Sequence, residues 1–191
     1  MSAPADIKGW RRETRARLIA ARMSAPPAAR RAWADAIEPV LDRLIRSSAA
    51  RTIGFYWPFK AEFDPRPLVT RLIADGFGAA LPVVVEKNRP MVFRLWTPET
   101  EMASGIWDIP VPKNTAEVNP DLALAPVVGF DAARFRLGYG GGYFDRTLGS
   151  LEKPPTAIGI GFELGRLETI HPQSFDVPMD HIVTEAGVDV D

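Results

Sequence analysis

The sequence predicts an α/β protein with a mostly parallel central sheet flanked by helices, and three observations carry that expectation. Short apolar, β-branched runs at residues 52–57, 77–85, 122–130 and 156–162 alternate with helical periodicity, as in strands covered on both faces by helices. Proline and glycine mark the changes of state: Pro58 stops the first of these strands, Pro65 opens a helix and Gly76 ends it. The third observation is a bare glycine loop between a buried strand and a short helical run. In open sheets ligands gather beyond the carboxyl ends of the strands, which puts this loop and Tyr56, Trp57 and Glu62 on the functional edge.

Composition sets bounds. With 191 residues, 46% of them hydrophobic, the chain is long enough for one sizeable core, and residues 1–191 are read as a single domain. A net charge of −1 gives no global reason to expect nucleic acid or an anionic membrane as partner. The absence of cysteine excludes disulfides, thiolate catalysis and cysteine-ligated zinc, and is compatible with the cytosol. No apolar run approaches the roughly 20 residues that span a bilayer, and the start Met-Ser-Ala-Pro-Ala-Asp lacks the apolar core of a signal peptide. The expectation is a soluble cytoplasmic protein.

Taken in order, the chain has a short loose start, after which Asp6 caps a helix to about Met23. Trp10, Leu18 and Ala21 offer its apolar side, and Lys8, Arg11, Arg12, Arg15, Arg17 and Arg22 a basic one. That basic side is read as a solvated face; a nucleic-acid contact is the rival, without an aromatic RNA-binding strand or a helix-turn-helix pattern to accompany it. Pro26 and Pro27 break the helix, and periodicity resumes over residues 28–47 through Trp33, Ile37, Val40, Leu41 and Leu44, with Pro39 predicting a kink or early end. A strand at 52–57 leads through the exit loop Lys60, Ala61, Glu62, Phe63, Asp64 to a helix at 65–75 and a strand at 77–85. Residues 91–96 alternate as the second arm of a hairpin across Asn88. Residues 97–121 are turn-rich, prolines hold 107–112 extended, and Trp107 is read as packing. Asp131 is expected to form a turn after the strand at 122–130. A helix at 143–151, a strand at 156–162, a last strand at 182–184 and an acidic tail complete the chain.

The loop reads Arg-Leu-Gly-Tyr-Gly-Gly-Gly-Tyr-Phe-Asp-Arg at residues 136–146. Four glycines in five positions leave backbone N–H groups uncovered, which suits wrapping around phosphate oxygens, although such a run can also simply reverse the chain. It lacks the Gly-Lys-Ser/Thr of a P-loop, and Tyr143 stands where a dinucleotide fingerprint needs glycine. Arg136, Asp145 and Arg146 beside the bare donors favour a site for an ATP–metal complex. His171 and His181 have no metal or triad spacing and receive no catalytic role.

This loop resembles the signature of the 5-formyltetrahydrofolate cyclo-ligase (methenyltetrahydrofolate synthetase) family, whose usual form has Tyr-Tyr-Asp where this chain has Tyr143, Phe144, Asp145. Lys8 with Arg12, the run Phe-Tyr-Trp-Pro at 55–58 through Glu62, Pro126 through Asp131, and the segments at 176–180 and 183–185 resemble the family in order and spacing, over almost the whole chain. The resemblance implies a three-layer sandwich of the NagB/RpiA/CoA-transferase-like kind and an ATP- and Mg²⁺-dependent conversion of 5-formyltetrahydrofolate to 5,10-methenyltetrahydrofolate. It implies ATP contacts from Lys8, Arg12, Arg136, Leu137, Gly138, Tyr139, Gly140, Gly141, Gly142, Tyr143 and Phe144. Folate contacts fall to Trp57, Glu62, Tyr139, Gly140, Gly141, Gly142 and Tyr143, and Mg²⁺ to Asp145 and Asp176, with Tyr143 and Arg136 as the catalytic pair in a monomer. Three positions depart from the pattern: Phe144 for tyrosine, Phe175 for histidine, and no glutamine near Gly165. These departures motivate two alternatives, a folate- or nucleotide-binding paralogue without turnover and a related enzyme acting on another N-formyl substrate.

Overall fold

The computed structural model describes residues 4–189; the first residues of the expected loose start and the last two of the acidic tail lie outside the described residues. In chain order the helices are α1 (Ile7–Ser24), α2 (Pro27–Ser47), α3 (Arg66–Ala74) and α4 (Tyr143–Leu148). The strands are β1 (Thr52–Gly54), β2 (Gly78–Val83), β3 (Val92–Leu95), β4 (Met102–Ser104), β5 (Pro110–Pro112), β6 (Glu117–Val118), β7 (Leu122–Pro126), β8 (Gly129–Phe130), β9 (Arg136–Leu137), β10 (Thr156–Ile160), β11 (His181–Thr184) and β12 (Gly187–Asp189).

The main sheet has eight strands in the order β12-β11-β10-β7-β1-β2-β3-β6. The run β11-β10-β7-β1-β2 is parallel throughout, and antiparallel β12 on one side and β3 with β6 on the other complete it. Alternation along the strands sends side chains to opposite faces. Leu122, Leu124, Ile158, Ile160 and Val183 pack with Ile37, Leu41 and Ile45 of α2 and Leu68, Val69 and Leu72 of α3. Ala125, Ala157 and Ile182 join Leu148 of α4, Phe130 and Met179 on the other face. Helices on both faces of a mostly parallel sheet make the α/β fold that the sequence predicts.

Several elements differ from expectation for identifiable reasons. The helix α2 runs through Pro39 to Ser47, because Ile37, Leu41 and Ile45, all with 0% exposure, anchor it on both sides of the lost hydrogen bond. The strand expected at 122–130 is two: Pro126 has no N–H to continue the ladder, and the chain resumes as β8, which pairs with β9 outside the main sheet. The turn-rich stretch contains the hairpin β4–β5, whose tip is a tight turn at Ile106–Asp108 with Trp107 (φ 57°) and Asp108 (φ 58°) in the left-handed region. The acidic tail turns at Gly187 (φ 120°) and adds β12 to the sheet edge. α4 stops at Leu148, before Gly149.

A candidate active site beyond the carboxyl ends of the central strands

β1 lies between β7 and β2, and the chain moves outward from it to β2 by way of α3 and, later, to β10 and β11 by way of β7. The crevice at such a reversal of strand order is where an open α/β sheet leaves room for a ligand. A cavity of about 200 Å³ opens there. Its walls include Tyr56 and Trp57 after β1, Leu81, Pro82 and Val84 around the end of β2, and Pro126 at the end of β7. The glycine loop closes one side through Gly138, Tyr139, Gly140, Gly141, Gly142 and Tyr143, with Phe144, Asp145, Arg136 and Asp176 beside it.

The loop needs its glycines for separate reasons. Gly140 (φ 95°) and Gly142 (φ 64°) have left-handed backbones, and at Gly141 an added Cβ would sit 2.8 Å from the Tyr143 ring. Tyr143 and Phe144 then lie on the first turn of α4. Arg146 reaches back to donate from Nη1 to the Gly141 carbonyl at 3.3 Å, and its guanidinium lies 5.7 Å from the Tyr143 ring centre.

One end of the cavity is a cluster of arginines and carboxylates. Arg136, 5% exposed on β9, approaches the Asp145 carboxylate at 3.2 Å and lies 5.5 Å from the Phe144 ring centre. Arg11 donates from Nη2 to Asp176 at 2.7 Å, and the backbone N–H of Gln173 donates to the same oxygen, also at 2.7 Å. Arg15 donates from Nε to the Gly138 carbonyl at 2.8 Å and lies against Gly140. Burial, and secondarily the charge of Arg11, draws the Arg15 guanidinium below its ordinary pKa. The Nε of Arg11 and the Nε and Nη2 of Arg136 are buried without a hydrogen-bond partner. Buried donors are ordinarily paired, so this end is short of acceptors.

The other end is saturated. Glu62 accepts from the Tyr139 hydroxyl at 2.6 Å and from the backbone N–H of Phe59 at 2.8 Å, and it is 3.7 Å from the Arg22 guanidinium. Burial pushes the Glu62 carboxyl above the ordinary glutamate range, against the pull of the Tyr139 hydroxyl, Arg22 and the Phe59 N–H. Burial first, and the Glu62 charge second, raise the Tyr139 phenol well above its ordinary value, so it stays a protonated donor. Trp57 lies beside this group with the Arg66 guanidinium 4.4 Å from its ring centre, and Arg66 is forked onto Asp64 at 2.7 Å and 2.8 Å.

The structure brings together Trp57, Glu62, Arg136, Gly138, Tyr139, Gly140, Gly141, Gly142, Tyr143, Phe144, Asp145 and Asp176 at one cavity. It does not bring Lys8, Arg12 or Leu137 there. Lys8 and Arg12 are exposed, with Arg12 near only Glu13, and Leu137 is fully buried in the core. Arg11 and Arg15 face the cavity instead, and Arg22, from the helix side read as solvated, is 3% exposed. The signal was in the spacing: Arg11, Leu18 and Arg22 recur at intervals of seven and four, the same helical face. Trp107, for which packing is the preferred reading over a place in the pocket wall, is 56% exposed and lines the cavity, as do Ile106 and Phe175. Asp131 is the turn former expected, accepting from the N–H groups of Ala133, Phe135 and Ile170. The segment around Gly165 lies off the cavity; a Cβ there would meet the Val128 carbonyl at 2.8 Å.

Comparison with known proteins agrees with this geometry. The model of the 5-formyltetrahydrofolate cyclo-ligase family matches residues 7–185. A 5-formyltetrahydrofolate cyclo-ligase of Haemophilus influenzae is 31% identical over 150 residues, covering 73% of this chain and 79% of the relative. One from Mycolicibacterium smegmatis is 29% identical over 180 residues, covering 90% and 92%. Among solved structures, the 5,10-methenyltetrahydrofolate synthetase of Aquifex aeolicus superposes with a TM-score of 0.79 at 26% identity, over 93% of this chain and 91% of that one. The synthetase of Mycoplasma pneumoniae shares the fold at 22% identity, with a TM-score of 0.75 over 92% and 98% of the two chains. With a match running nearly end to end and the signature loop lining the cavity, the chain belongs to the 5-formyltetrahydrofolate cyclo-ligase family.

Proposed function

We propose that this enzyme converts 5-formyltetrahydrofolate to 5,10-methenyltetrahydrofolate with ATP and Mg²⁺, releasing ADP and phosphate. The observation that carries the reading is the pair of buried guanidinium Nε donors on Arg11 and Arg136 without a hydrogen-bond partner, beside an uncovered glycine loop, in the cavity that also holds Trp57 and Glu62. A triphosphate supplies the acceptors those donors lack, and the loop's backbone N–H groups suit its oxygens. Arg15, whose terminal nitrogens have no protein partner among the described residues, would join them.

Among the described residues no three metal-ligating side chains cluster, but Asp145 and Asp176 both line the cavity. Two carboxylates and phosphate oxygens suit Mg²⁺, which keeps much of its water; held there it would neutralise charge on the phosphates. Asp145 and Asp176 now accept from Val177, Arg11 and Gln173, so they are held in place but partly occupied.

A formyl oxygen on nitrogen is a poor leaving group. In the proposed route this oxygen attacks the terminal phosphorus of ATP and ADP departs, leaving an iminium phosphate. N10 attacks the activated carbon and loses its proton, and inorganic phosphate leaves with the original formyl oxygen. Such chemistry rests on positioning and charge neutralisation more than on a strong base. Arg136 would stabilise charge on the transferring phosphoryl group, and the Tyr143 phenol would contact the reacting groups. Trp57 offers a ring for the pterin. Each Glu62 oxygen has one partner and can accept again, from pterin N–H groups. In this reading the enzyme acts as a cytoplasmic monomer with folate and ATP as its partners. The test is incubation of purified protein with 5-formyltetrahydrofolate, Mg²⁺ and ATP. Near-ultraviolet absorbance of the methenyl product should rise, and ligand binding without that rise would point to the non-catalytic paralogue.

A further inference from the structure

Arg22 is a buried cation at the last turn of α1 that the proposed reaction does not use. It donates from Nε to the Lys60 carbonyl at 3.0 Å, from Nη1 to the Val127 carbonyl at 3.4 Å and from Nη2 to the Tyr139 hydroxyl at 2.6 Å. One guanidinium thereby ties together α1, the loop that carries Glu62, the link between β7 and β8, and the glycine loop. The loop it holds needs holding: Lys60 (φ 48°) and Ala61 (φ 61°) are consecutive non-glycine residues in the left-handed region, immediately before Glu62. The Tyr139 hydroxyl has one proton and an oxygen that accepts from Arg22, so its short bond at 2.6 Å directs that proton to Glu62. With the Phe59 N–H on the second oxygen, the carboxylate has one orientation.

We infer that Arg22 is a positioning residue for folate: through Tyr139 and the Lys60 carbonyl it fixes the Glu62 carboxylate in the orientation that receives the pterin. This rests on the proposed folate role of Glu62 and extends it to a residue that does not line the cavity. Lysine cannot replace the device, since a single ammonium cannot reproduce a planar fork serving three acceptors on three segments.

The experiment is a double-mutant cycle read as the equilibrium dissociation constant of 5-formyltetrahydrofolate by titration calorimetry, with folding checked by thermal melting. Arg22→Met should weaken folate binding by about 10- to 100-fold in the native background and by no more than about 3-fold in Glu62→Gln, because the two residues act as one unit. Arg22→Lys should fall between native and Arg22→Met. If Arg22→Met does not fold, Arg22→Gln, which keeps one amide donor in place of the guanidinium fork, replaces it in the same cycle with the same expected coupling. Equal losses in the two backgrounds would mean that Arg22 merely anchors the helix and would overturn the inference. A native protein that binds folate but forms no methenyl product would sink the proposed reaction and leave the positioning role standing; one that binds no folate would remove both.

Discussion

The two ends of the cavity are both built around buried arginines, yet they are in opposite states. At the end proposed for folate Arg22 has three acceptors, and the Tyr139 hydroxyl and both Glu62 oxygens have hydrogen-bond partners within the protein. At the end proposed for phosphate the Nε atoms of Arg136 and Arg11 are buried without a hydrogen bond, and Nη2 of Arg136 has only its ion pair with Asp145. A satisfied buried cation stabilises the fold around it, whereas an unsatisfied one has lost water without full replacement and makes the fold less stable. The difference separates preorganised structure from spare donor capacity: one end has its hydrogen bonds made within the protein, and the other keeps buried donors that the proposed triphosphate would engage.

The comparison breaks most visibly with Arg136→Met. Loss of a charge aimed at the transferring phosphoryl group should lower kcat/KM by about 10³-fold, as for other preorganised electrostatic groups. Stability should stay within about 1 kcal/mol of native, because loss of the Asp145 ion pair is offset by removal of the desolvated donors. Saturating ATP and Mg²⁺ should raise the melting temperature of the native protein and do so far less for the variant. Arg22→Met should behave oppositely in stability, losing about 3 kcal/mol by leaving Glu62 without its buried cation and two carbonyls bare. Thermal melts of the two variants side by side decide it: similar losses would mean that the phosphate-end arginine is structural too.

How much of this was legible in the sequence follows the same division. The glycine loop was readable from its local signature, while Trp57 and Glu62 were placed at the sheet's carboxyl edge by strand order and singled out by the family resemblance. Arg11, Arg15 and Arg22 of α1 were not, because charge in a helix reads as surface until its partners are known. Arg22 became buried only by meeting the carbonyls of Lys60 and Val127, 38 and 105 residues away, and no local pattern encodes that. Arg11 was one residue from Arg12, and only helical phase distinguishes the buried cation from the exposed one. In the fold, the central strands followed from short apolar runs, while the hairpin β4–β5 and the edge strand β12 are three residues of pairing each with little propensity of their own.

A smaller effect sharpens the folate end. The folded-state pKa of Glu62 is raised, so folding takes up a proton, and stability should fall as pH rises from the unfolded value, about 4.3, through the folded one. Folate affinity should do the reverse across that window, since the ionised carboxylate is the acceptor. Melting temperature and folate affinity measured against pH for native and Glu62→Gln proteins test both signs. The native-minus-variant stability difference should decline with pH; a difference that rose would assign Glu62 a depressed pKa and a different electrostatic role.

The smallest effect comes from two glycines matched by chance. Gly76, in the turn after α3, has φ 94°, and Gly140, in the phosphate loop, has φ 95°. Alanine at either should cost about 1–2 kcal/mol of stability from the left-handed backbone alone. Their surroundings differ: a Cβ on Gly76 meets nothing within 4 Å, whereas on Gly140 it comes within 3.5 Å of the Arg15 guanidinium. That distance is ordinary contact, so the protein tolerates it, but the new methyl covers backbone that a phosphate oxygen would otherwise approach. The melting temperatures of Gly76→Ala and Gly140→Ala should therefore fall together, while only Gly140→Ala weakens ATP binding, by about 10-fold. Equal ATP affinities would mean that the bare peptide at Gly140 serves the turn rather than the nucleotide, and the phosphate end would then rest on its arginines alone.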